Sequence, residues 1–344
     1  MVKVSLRGDV HEFENGVTPY QIAQSISSGL ARVACAAKIN GEQITKTRVA
    51  AAERFRDNGE LKYSLRSLAK NVPWVNHIYI ITGFGQIPKW LNTDNPKITI
   101  VPHEQIFPSG ALPTFNATAI EMCIPNIPGL GEHFLLMNDD LFFNRPLKPS
   151  FFYDRFGRAR VLFSNHANRS RNLAEWKARV DEYNQTLILS AEYIERVFGR
   201  RVYKYRPSHG IDPYIKSTWL ECINHPEIAQ QIHSQKFNKF RTNTEVQRWL
   251  FNLYDLIHGH AKFIHSRARK HTRHKVTNFI YNTIFMPWIR KSPVVCTDTV
   301  AARNAILGAP IFCINDGRDT DETILRNNAQ FMATRFPEKS QFEK

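Results

Sequence analysis

The chain has 344 residues, of which 42% are hydrophobic and 22% are charged. This composition excludes a disordered chain and allows one large domain or two smaller ones. The formal net charge of +15 favours anionic partners such as phosphorylated substrates, nucleic acid or an acidic membrane face. Five widely spaced cysteines without a CxxC pair argue against a zinc site and favour a reducing, cytosolic setting. No apolar run is long enough for a signal peptide or a transmembrane helix, so we expect any membrane contact to be peripheral.

Residues 1–45 predict a small β-grasp-like segment with the order strand, strand, helix, strand. VKVSL and VHEFE predict two strands joined by a turn at Arg7-Gly8-Asp9, and TPYQIAQSISSGL predicts a helix. ARVACAAKINGEQI predicts a strand that enters a turn at Asn40-Gly41. With its GLA…AAKINGE ending, the segment resembles the TGS domain of threonyl-tRNA synthetases. That resemblance brings no catalytic residues, and a fold-stabilising appendage is an equally good interpretation.

Residues 46–344 predict a single α/β domain. Leu61, Leu65 and Leu68 recur at helical spacing, and the helix should stop at Pro73. Three strands are predicted by HIYIITG (77–83), KITIVPH (97–103) and EHFLLMNDDLFF (132–143), and a short helix by ATAIEMCIPNI (117–127). Helices between short apolar runs predict a Rossmann-like or glycosyltransferase-like mixed sheet, which binds ligands at the carboxyl ends of its strands.

Residues 151–275 predict a largely helical portion inserted into this fold. The predicted elements are a helix pair in WKARVDEYNQTLIL and AEYIERVFGRR, a helix interrupted near Pro226 in IDPYIKSTWLECINHPEIAQQI, and a helix ended by Gly259 in EVQRWLFNLYDLIHGHA. The basic run KFIHSRARKHTRHKV predicts a solvated face or a phosphate contact. The chain closes with a strand in PIFCI, a polar turn, and a helix capped near Asp319–Asp321.

Two Asn-Asp pairs directly follow apolar runs of sequence. Asn138-Asp139-Asp140 interrupts FLLMNDDLFF, and Asn315-Asp316 follows PIFCI. Buried carboxylates are costly unless water or a cation offsets their charge, and Mg²⁺ prefers one or two carboxylates together with substrate phosphates. We therefore predict a site for Mg²⁺ or Mn²⁺ formed by Asp139, Asp140 and Asp316. The alternative is that each pair only ends a strand by turn chemistry.

Three further positions are candidates for phosphate or proton chemistry. RFRDNGEL gathers Arg54, Asp57, Asn58 and Glu60 at a helix start, where phosphate can bind, although a simple N-cap is equally compatible. His209 in RPSHGIDP can exchange a proton near neutral pH, but it is one of 13 histidines. Arg241 in NKFRTNTE can clamp phosphate, or it can be an ordinary solvated arginine.

The same motifs together resemble the Stealth family over residues 53–344. The similar segments are RFRDNGELKYSLRSLAKNVPWVNHIYIITGFGQIPKWLNTDNPKITIVPHEQIF, LPTFNATAIE, IPGLGEHFLLMNDDLFF and FCINDG…FPEKSQFE. This family comprises bacterial capsule-polymerase-type phosphotransferases and the eukaryotic N-acetylglucosamine-1-phosphotransferase. The resemblance implies transfer of hexose-1-phosphate from a nucleotide sugar to a hydroxyl, with a divalent cation and release of a nucleoside monophosphate.

The resemblance also implies roles for single residues. Asp140, His209 and Arg241 would be catalytic, and Asp139, Asp140 and Asp316 would hold the metal. Substrate binding would fall to Arg54, Asp57, Asn58, Glu60, Asn116 of the FN-x-x-AIE element, and Asn138. The family's first region, a strand ending in Trp-Val-Asp/Asn-Gly, is absent from this sequence, and the TGS-like segment stands in its place.

We therefore expect a sugar-1-phosphate transferase of capsule or exopolysaccharide synthesis. Its partners would be a UDP-sugar donor and a glycan acceptor, in the cytoplasm or at the inner face of the cell membrane. No stable nucleic-acid partner is expected, because the aromatic residues lie in apolar stretches rather than along a basic stripe. The alternatives are a binding-only relic without the donor-site strand, a Mg²⁺-dependent glycosyltransferase that releases UDP, and an RNA-associated protein.

Overall fold

The structure is a computed structural model that describes most of the chain between residue 57 and the end, together with short segments before it. The described residues are 2–6, 9–14, 38–39, 42–43, 57–165, 177, 180–203, 205–265, 294–297, 299–300, 303–314 and 320–344. The chain divides into an N-terminal unit, residues 1–58 with 316–325, and a main unit, residues 59–315 with 326–344.

Two antiparallel strand pairs form the described secondary structure in the first 45 residues. β1 (Val2–Leu6) pairs with β2 (Asp9–Phe13), and β3 (Lys38–Ile39) pairs with β4 (Glu42–Gln43). The first pair is confirmed as predicted, and β3 confirms a strand at the end of AAKI, whereas the predicted turn at Asn40-Gly41 lies outside the described residues. The predicted helix of this segment lies outside the described residues, so the β-grasp arrangement stays a prediction.

The main unit alternates helices with short strands. Its strands are β5 (Ile78–Thr82), β6 (Ile98–Pro102), β7 (His133–Leu136), β8 (Leu141–Phe143), β9 (Ala159–Asn165), β10 (Tyr205–Pro207), β11 (Asp212–Ile215), β12 (Ala261–His265), β13 (Val294–Thr297) and β14 (Ile311–Ile314). The helices are α1 (Glu60–Asn71), α2 (His103–Ile106), α3 (Ala117–Glu121), α4 (Glu182–Phe198), α5 (Lys216–Ile223), α6 (Pro226–Gln235), α7 (Trp249–Ile257), α8 (Arg303–Gly308) and α9 (Glu322–Arg335), of which α9 begins among the residues of the N-terminal unit.

The described strands pair in small sheets that mix parallel and antiparallel neighbours. β5 and β6 are parallel, β9 lies between antiparallel β10 and parallel β12, and β7 pairs antiparallel with β11. β14 lies between parallel β13 and antiparallel β8. The α/β class is therefore confirmed, whereas the Rossmann-like arrangement stays a prediction.

Three predicted elements differ in the structure. Where two helices were predicted to meet, Glu182–Phe198 is one continuous helix, α4, because no glycine or proline interrupts it between its Asp181 N-cap and Gly199, whose φ is 67°. IDPYI is strand β11 rather than helix, since its fully buried residues pair with β7. FLLMNDDLFF is two strands, β7 and β8, separated by residues 137–140.

Polar residues of α1 explain how β8 is held in place. One edge of β8 pairs with β14, and side chains of α1 satisfy backbone groups of the other edge. Ser64 Oγ donates to Leu141 O at 2.9 Å, Ser67 Oγ accepts from Phe143 N at 3.0 Å, and Asn71 Nδ2 donates to Phe143 O at 2.6 Å. Because buried backbone groups need partners, these bonds fix the strand that directly follows the two aspartates.

Candidate active site

The Asn138-Asp139-Asp140 segment is a turn between β7 and β8. Leu141 N donates to Asn138 O at 3.4 Å, and Ile314 N of β14 donates to Asp140 O at 3.2 Å. β7 pairs with β11 and β8 pairs with β14, so the turn lies where two sheets meet. The two aspartates therefore belong to a backbone held by hydrogen bonds on both sides, rather than to the middle of a strand.

His209 reaches Asp140 because of the way β11 pairs. The loop that carries His209 joins β10 to β11, and Asp212 at the start of β11 is opposite Leu136 at the end of β7. His209 Nε2 lies 4.0 Å from Asp140 Oδ2, and the two side chains are 35% and 17% exposed. Two residues predicted to be catalytic from separate motifs thus lie side by side in a site that solvent reaches.

Cys313 of β14 is the third member of this cluster, and the sequence reading missed it. Its Sγ donates to Asp140 Oδ2 at 3.3 Å. The ligand atoms of Asp140, His209 and Cys313 all lie within 4.8 Å of one another. The only available signal was its place two residues before Asn315-Asp316, because the contact is made across 173 residues of sequence.

Negative charge accumulates around the turn. Burial raises the pKa of Asp139, and the neighbouring carboxylates of Asp140 and Glu60 raise it further. The Asp139 side chain still reaches solvent, so a dissolved ion can approach it. Asp140 Oδ1 is buried and accepts no hydrogen bond from the residues that the structure describes. Oxygen ligands and unrelieved negative charge fit a hard divalent cation held by Asp139 and Asp140.

A buried ionic cluster supports the His209 loop. Arg248 lies 2.6 Å from Glu121 and 3.6 Å from Asp212. Burial raises the pKa of Asp212 to about 6, although the positive charges of Arg248 and His209 act in the opposite direction. His209, Asp212 and Arg248 also line one small cavity together with Tyr183. Sequence reasoning missed the cluster of Arg248, Glu121 and Asp212, because nothing local marks these residues as neighbours.

Arg241 approaches this cavity through an aromatic contact. Its guanidinium lies 5.6 Å from the centre of the Tyr183 ring, and Tyr183 lines the cavity beside His209. Such stacking orients a cation while its charge remains available to an anionic ligand. Arg241 and His209 therefore share Tyr183 as a neighbour, the first through the ring contact and the second through the cavity.

Asn116 holds the loop that carries Arg241. Its Oδ1 accepts from Thr118 N at 3.0 Å, which caps α3, and its Nδ2 donates to Glu245 Oε1 at 2.9 Å. Asn238 Nδ2 also donates to Glu245 Oε1, at 2.8 Å, and burial raises the pKa of this fully buried carboxyl. Asn116 is 1% exposed, so its visible role is to join two loops, and its predicted substrate contact stays a prediction.

A surface cluster of phenylalanines, the aromatic stack, adjoins Arg241. Phe115 stacks on Phe84 with ring centres 5.6 Å apart and on Phe240 at the same distance. Phe84 and Phe115 are 41% and 47% exposed, and Phe84 has a φ of 56°. Exposed aromatic surface of this kind, and strained backbone, are typical of binding sites.

Among the remaining predicted residues, Glu60 lies close enough to the turn for its carboxylate to raise the pKa of Asp139. Arg54 and Asp316 lie outside the described residues. Asp57 and Asn58 belong to the N-terminal unit, and Glu60 begins α1 of the main unit. Their predicted roles stay predictions.

Comparison with known proteins assigns the family. The model for Stealth protein CR2, conserved region 2, matches residues 54–161, and the TGS domain model matches residues 3–62. The capsular polysaccharide phosphotransferase WcwK of Streptococcus pneumoniae is 30% identical over 323 residues, covering 85% of this chain and 88% of the relative. This chain belongs to the Stealth family. Both predicted resemblances, to Stealth proteins and to the TGS domain, are confirmed.

Shorter matches with other Stealth relatives are more similar in sequence. The exopolysaccharide phosphotransferase cps2G of Lactiplantibacillus plantarum is 51% identical over 106 residues, which are 31% of each chain. The N-acetylglucosamine-1-phosphotransferase subunits alpha/beta of Mus musculus are 52% identical over 103 residues, which are 30% of this chain and 8% of the mouse protein. These matches therefore span less than a third of those relatives. Within the part of this Stealth chain that the structure describes, every helix is too short or too polar to cross a bilayer.

Proposed function

We propose that this Stealth protein is a sugar-1-phosphate transferase of capsule or exopolysaccharide synthesis. It would move hexose-1-phosphate, for example N-acetylglucosamine-1-phosphate, from a UDP-sugar to an acceptor hydroxyl and release UMP. The observation that carries the proposal is the approach of His209 Nε2 to within 4.0 Å of Asp140 Oδ2. The names of the capsular and exopolysaccharide relatives support the reaction class.

His209 acts as the general base in this proposal. Its imidazole takes the proton of the acceptor hydroxyl, whose oxygen forms a bond to the phosphorus that carries the sugar. The bond from that phosphorus to the UMP oxygen breaks, and the sugar's anomeric bond is untouched. Asp140 holds the imidazole and stabilises its protonated form, as a carboxylate beside a catalytic histidine does.

Arg241 and the aspartates of the turn provide electrostatic stabilisation. Arg241 places positive charge beside the phosphate oxygens, and phosphoryl transfer gains most of its acceleration from such positioning and charge. Asp139 and Asp140 would hold Mg²⁺ or Mn²⁺, which supplies positive charge against the donor diphosphate. The net charge of +15 favours the anionic donor and contact with an acidic membrane surface.

The nucleotide released from UDP-N-acetylglucosamine tests this proposal. The full chain is incubated with Mg²⁺, donor and a capsule-type glycan, and the nucleotides are separated by chromatography. UMP is expected with the wild type and should fall at least ~100-fold in Asp140→Asn and His209→Gln, as expected for loss of a general base. Asp94→Asn and His233→Gln are matched controls, because both residues are exposed and lie outside the site. UDP release would show a glycosyltransferase, and absence of both nucleotides would show a binding-only protein.

A further inference from the structure

A second metal chemistry is built into the proposed active site. Asp140, His209 and Cys313 offer one oxygen, one nitrogen and one sulfur within 4.8 Å of one another. This mixed set differs from the all-oxygen set that Mg²⁺ prefers, and it is the kind of set that binds Zn²⁺ and similar thiophilic cations. The sequence argued against a zinc site, because the five cysteines are widely spaced and no CxxC pair is present.

The distances are close to those of a tetrahedral site. With zinc bonds of ~2.0 Å to nitrogen and oxygen and ~2.3 Å to sulfur, ligand atoms lie about 3.3–3.5 Å apart. Cys313 Sγ already lies 3.3 Å from Asp140 Oδ2, and His209 Nε2 lies 4.0 Å from the same oxygen. Since all three ligand atoms lie within 4.8 Å of one another, an approach of up to ~1.3 Å by the His209 loop would complete the three-ligand arrangement, with a fourth position open to water or substrate.

The surroundings favour such an ion. Asp140 and Cys313 as thiolate together carry two negative charges, which match a divalent cation, and the thiol proton would pass to solvent on binding. Cys313 of β14 lies opposite Leu141 of β8, and Asp140, directly before β8, accepts from Ile314 N at 3.2 Å, so two of the three ligands are held by backbone pairing. Preorganised ligands of this kind lose little freedom when a metal binds.

We propose that Asp140, His209 and Cys313 bind a thiophilic divalent cation, with Zn²⁺ as the representative, and that this ion inhibits sugar-phosphate transfer. Zinc would occupy the carboxylate of Asp140 and withdraw His209 from proton transfer. The inhibition rests on the proposed function, whereas the binding site does not. Zinc would then act as a negative regulator of an enzyme that a harder cation supports.

Cobalt tests the binding site directly. Co²⁺ replaces Zn²⁺ in tetrahedral sites, and a thiolate ligand gives it an intense charge-transfer absorption in the near ultraviolet. Metal-free full chain titrated with Co²⁺ should show this band at about one equivalent, and Zn²⁺ should abolish it. Cys313→Ser and Cys313→Ala should lose the band, whereas Cys123→Ser should keep it, since Cys123 is buried in a different core cluster.

A variant of His209 tests the site independently, in case the Cys313 variants misfold. His209 is partly exposed, so His209→Gln should fold and should weaken Co²⁺ binding at least ~10-fold, as loss of a ligand or its orienting partner does in other sites. A wild type without the band, or a band that persists in folded Cys313→Ser, overturns the site. So does a His209→Gln variant with wild-type Co²⁺ affinity.

Transfer assays separate this proposal from the proposed function. Zn²⁺ should inhibit UMP release by the wild type and should inhibit Cys313→Ser at concentrations at least ~10-fold higher, in line with loss of one ligand. Cobalt binding with a thiolate band but without UMP release would overturn the transferase and leave the metal site. UMP release without the band would overturn the metal site alone.

Discussion

Replacement of Arg248 by methionine should destabilise the main unit strongly. Arg248 is 15% exposed and lies 2.6 Å from Glu121 and 3.6 Å from Asp212. Methionine fills similar space but leaves both carboxylates without their cation. Removal of one partner from a buried ion pair typically costs ~3–5 kcal/mol, most of it from the charge left unpaired. We expect a loss of this size in the free energy of unfolding at pH 8.

The loss should be smaller at pH 5, and the sign follows from Asp212. Its folded-state pKa is about 6, above the ordinary value of 3.8, so Asp212 disfavours the folded state as pH rises from about 4 to about 6. Without Arg248 the pKa of Asp212 rises further. The pH range over which its ionisation destabilises the folded state therefore extends to higher pH. At pH 5 Asp212 is protonated in the variant and needs no cation. The difference between pH 8 and pH 5 should be at least ~1.4 kcal/mol, the equivalent of one pKa unit.

Urea unfolding at the two pH values, followed by circular dichroism, measures this difference. Arg201→Met is the matched control, because the Arg201 side chain is 86% exposed in its pair with Glu195 and its loss should cost less than ~1 kcal/mol. The double variant Arg248→Met with Asp212→Asn should recover part of the loss at pH 8. Equal losses for the two arginine variants, or a loss independent of pH, would refute the reasoning.

Three further predictions concern the core, the aromatic stack and the C-terminal segment. Burial raises the pKa of Asp255 to about 7, so its ionisation destabilises the folded state as pH rises from about 4 to about 7. The free energy of unfolding of Asp255→Asn, measured in urea, should therefore increase relative to that of the wild type by ~2–4 kcal/mol between pH 4 and pH 8. No such increase would contradict this prediction. Phe115→Ala should raise the KM for a sugar substrate about 2- to 10-fold with little change in kcat, whereas Phe156→Ala, also exposed, should not. Arg66 lies 2.7 Å from Glu343 and lowers its pKa, so Glu343→Gln should lose about 3 kcal/mol at pH 7. Because the folded-state pKa is lowered from 4.5, that loss should shrink as pH falls below about 4.5 and through the lowered pKa; a loss that does not change with pH would indicate packing instead.

Local periodicity was sufficient for several elements of the fold. β5, β6 and α3 lie where the sequence predicted them, because runs of branched residues and the Asn116 cap act within a few residues. The prediction of a helix at IDPYI was wrong, because an apolar run with few local signals takes its structure from its partner, here β7.

For the site, the sequence by itself marked Asp140 and His209 as candidates, since carboxylates beside apolar runs and a loop histidine are visible without a fold. Only the tertiary structure decided which residues share that site. Cys313 touches Asp140 across 173 residues, because β14 pairs with β8. Arg248 lies 3.6 Å from Asp212 and lines one cavity with it and His209, although Arg248 is far from both along the chain. Such contacts follow from strand register and burial, which depend on the whole chain at once.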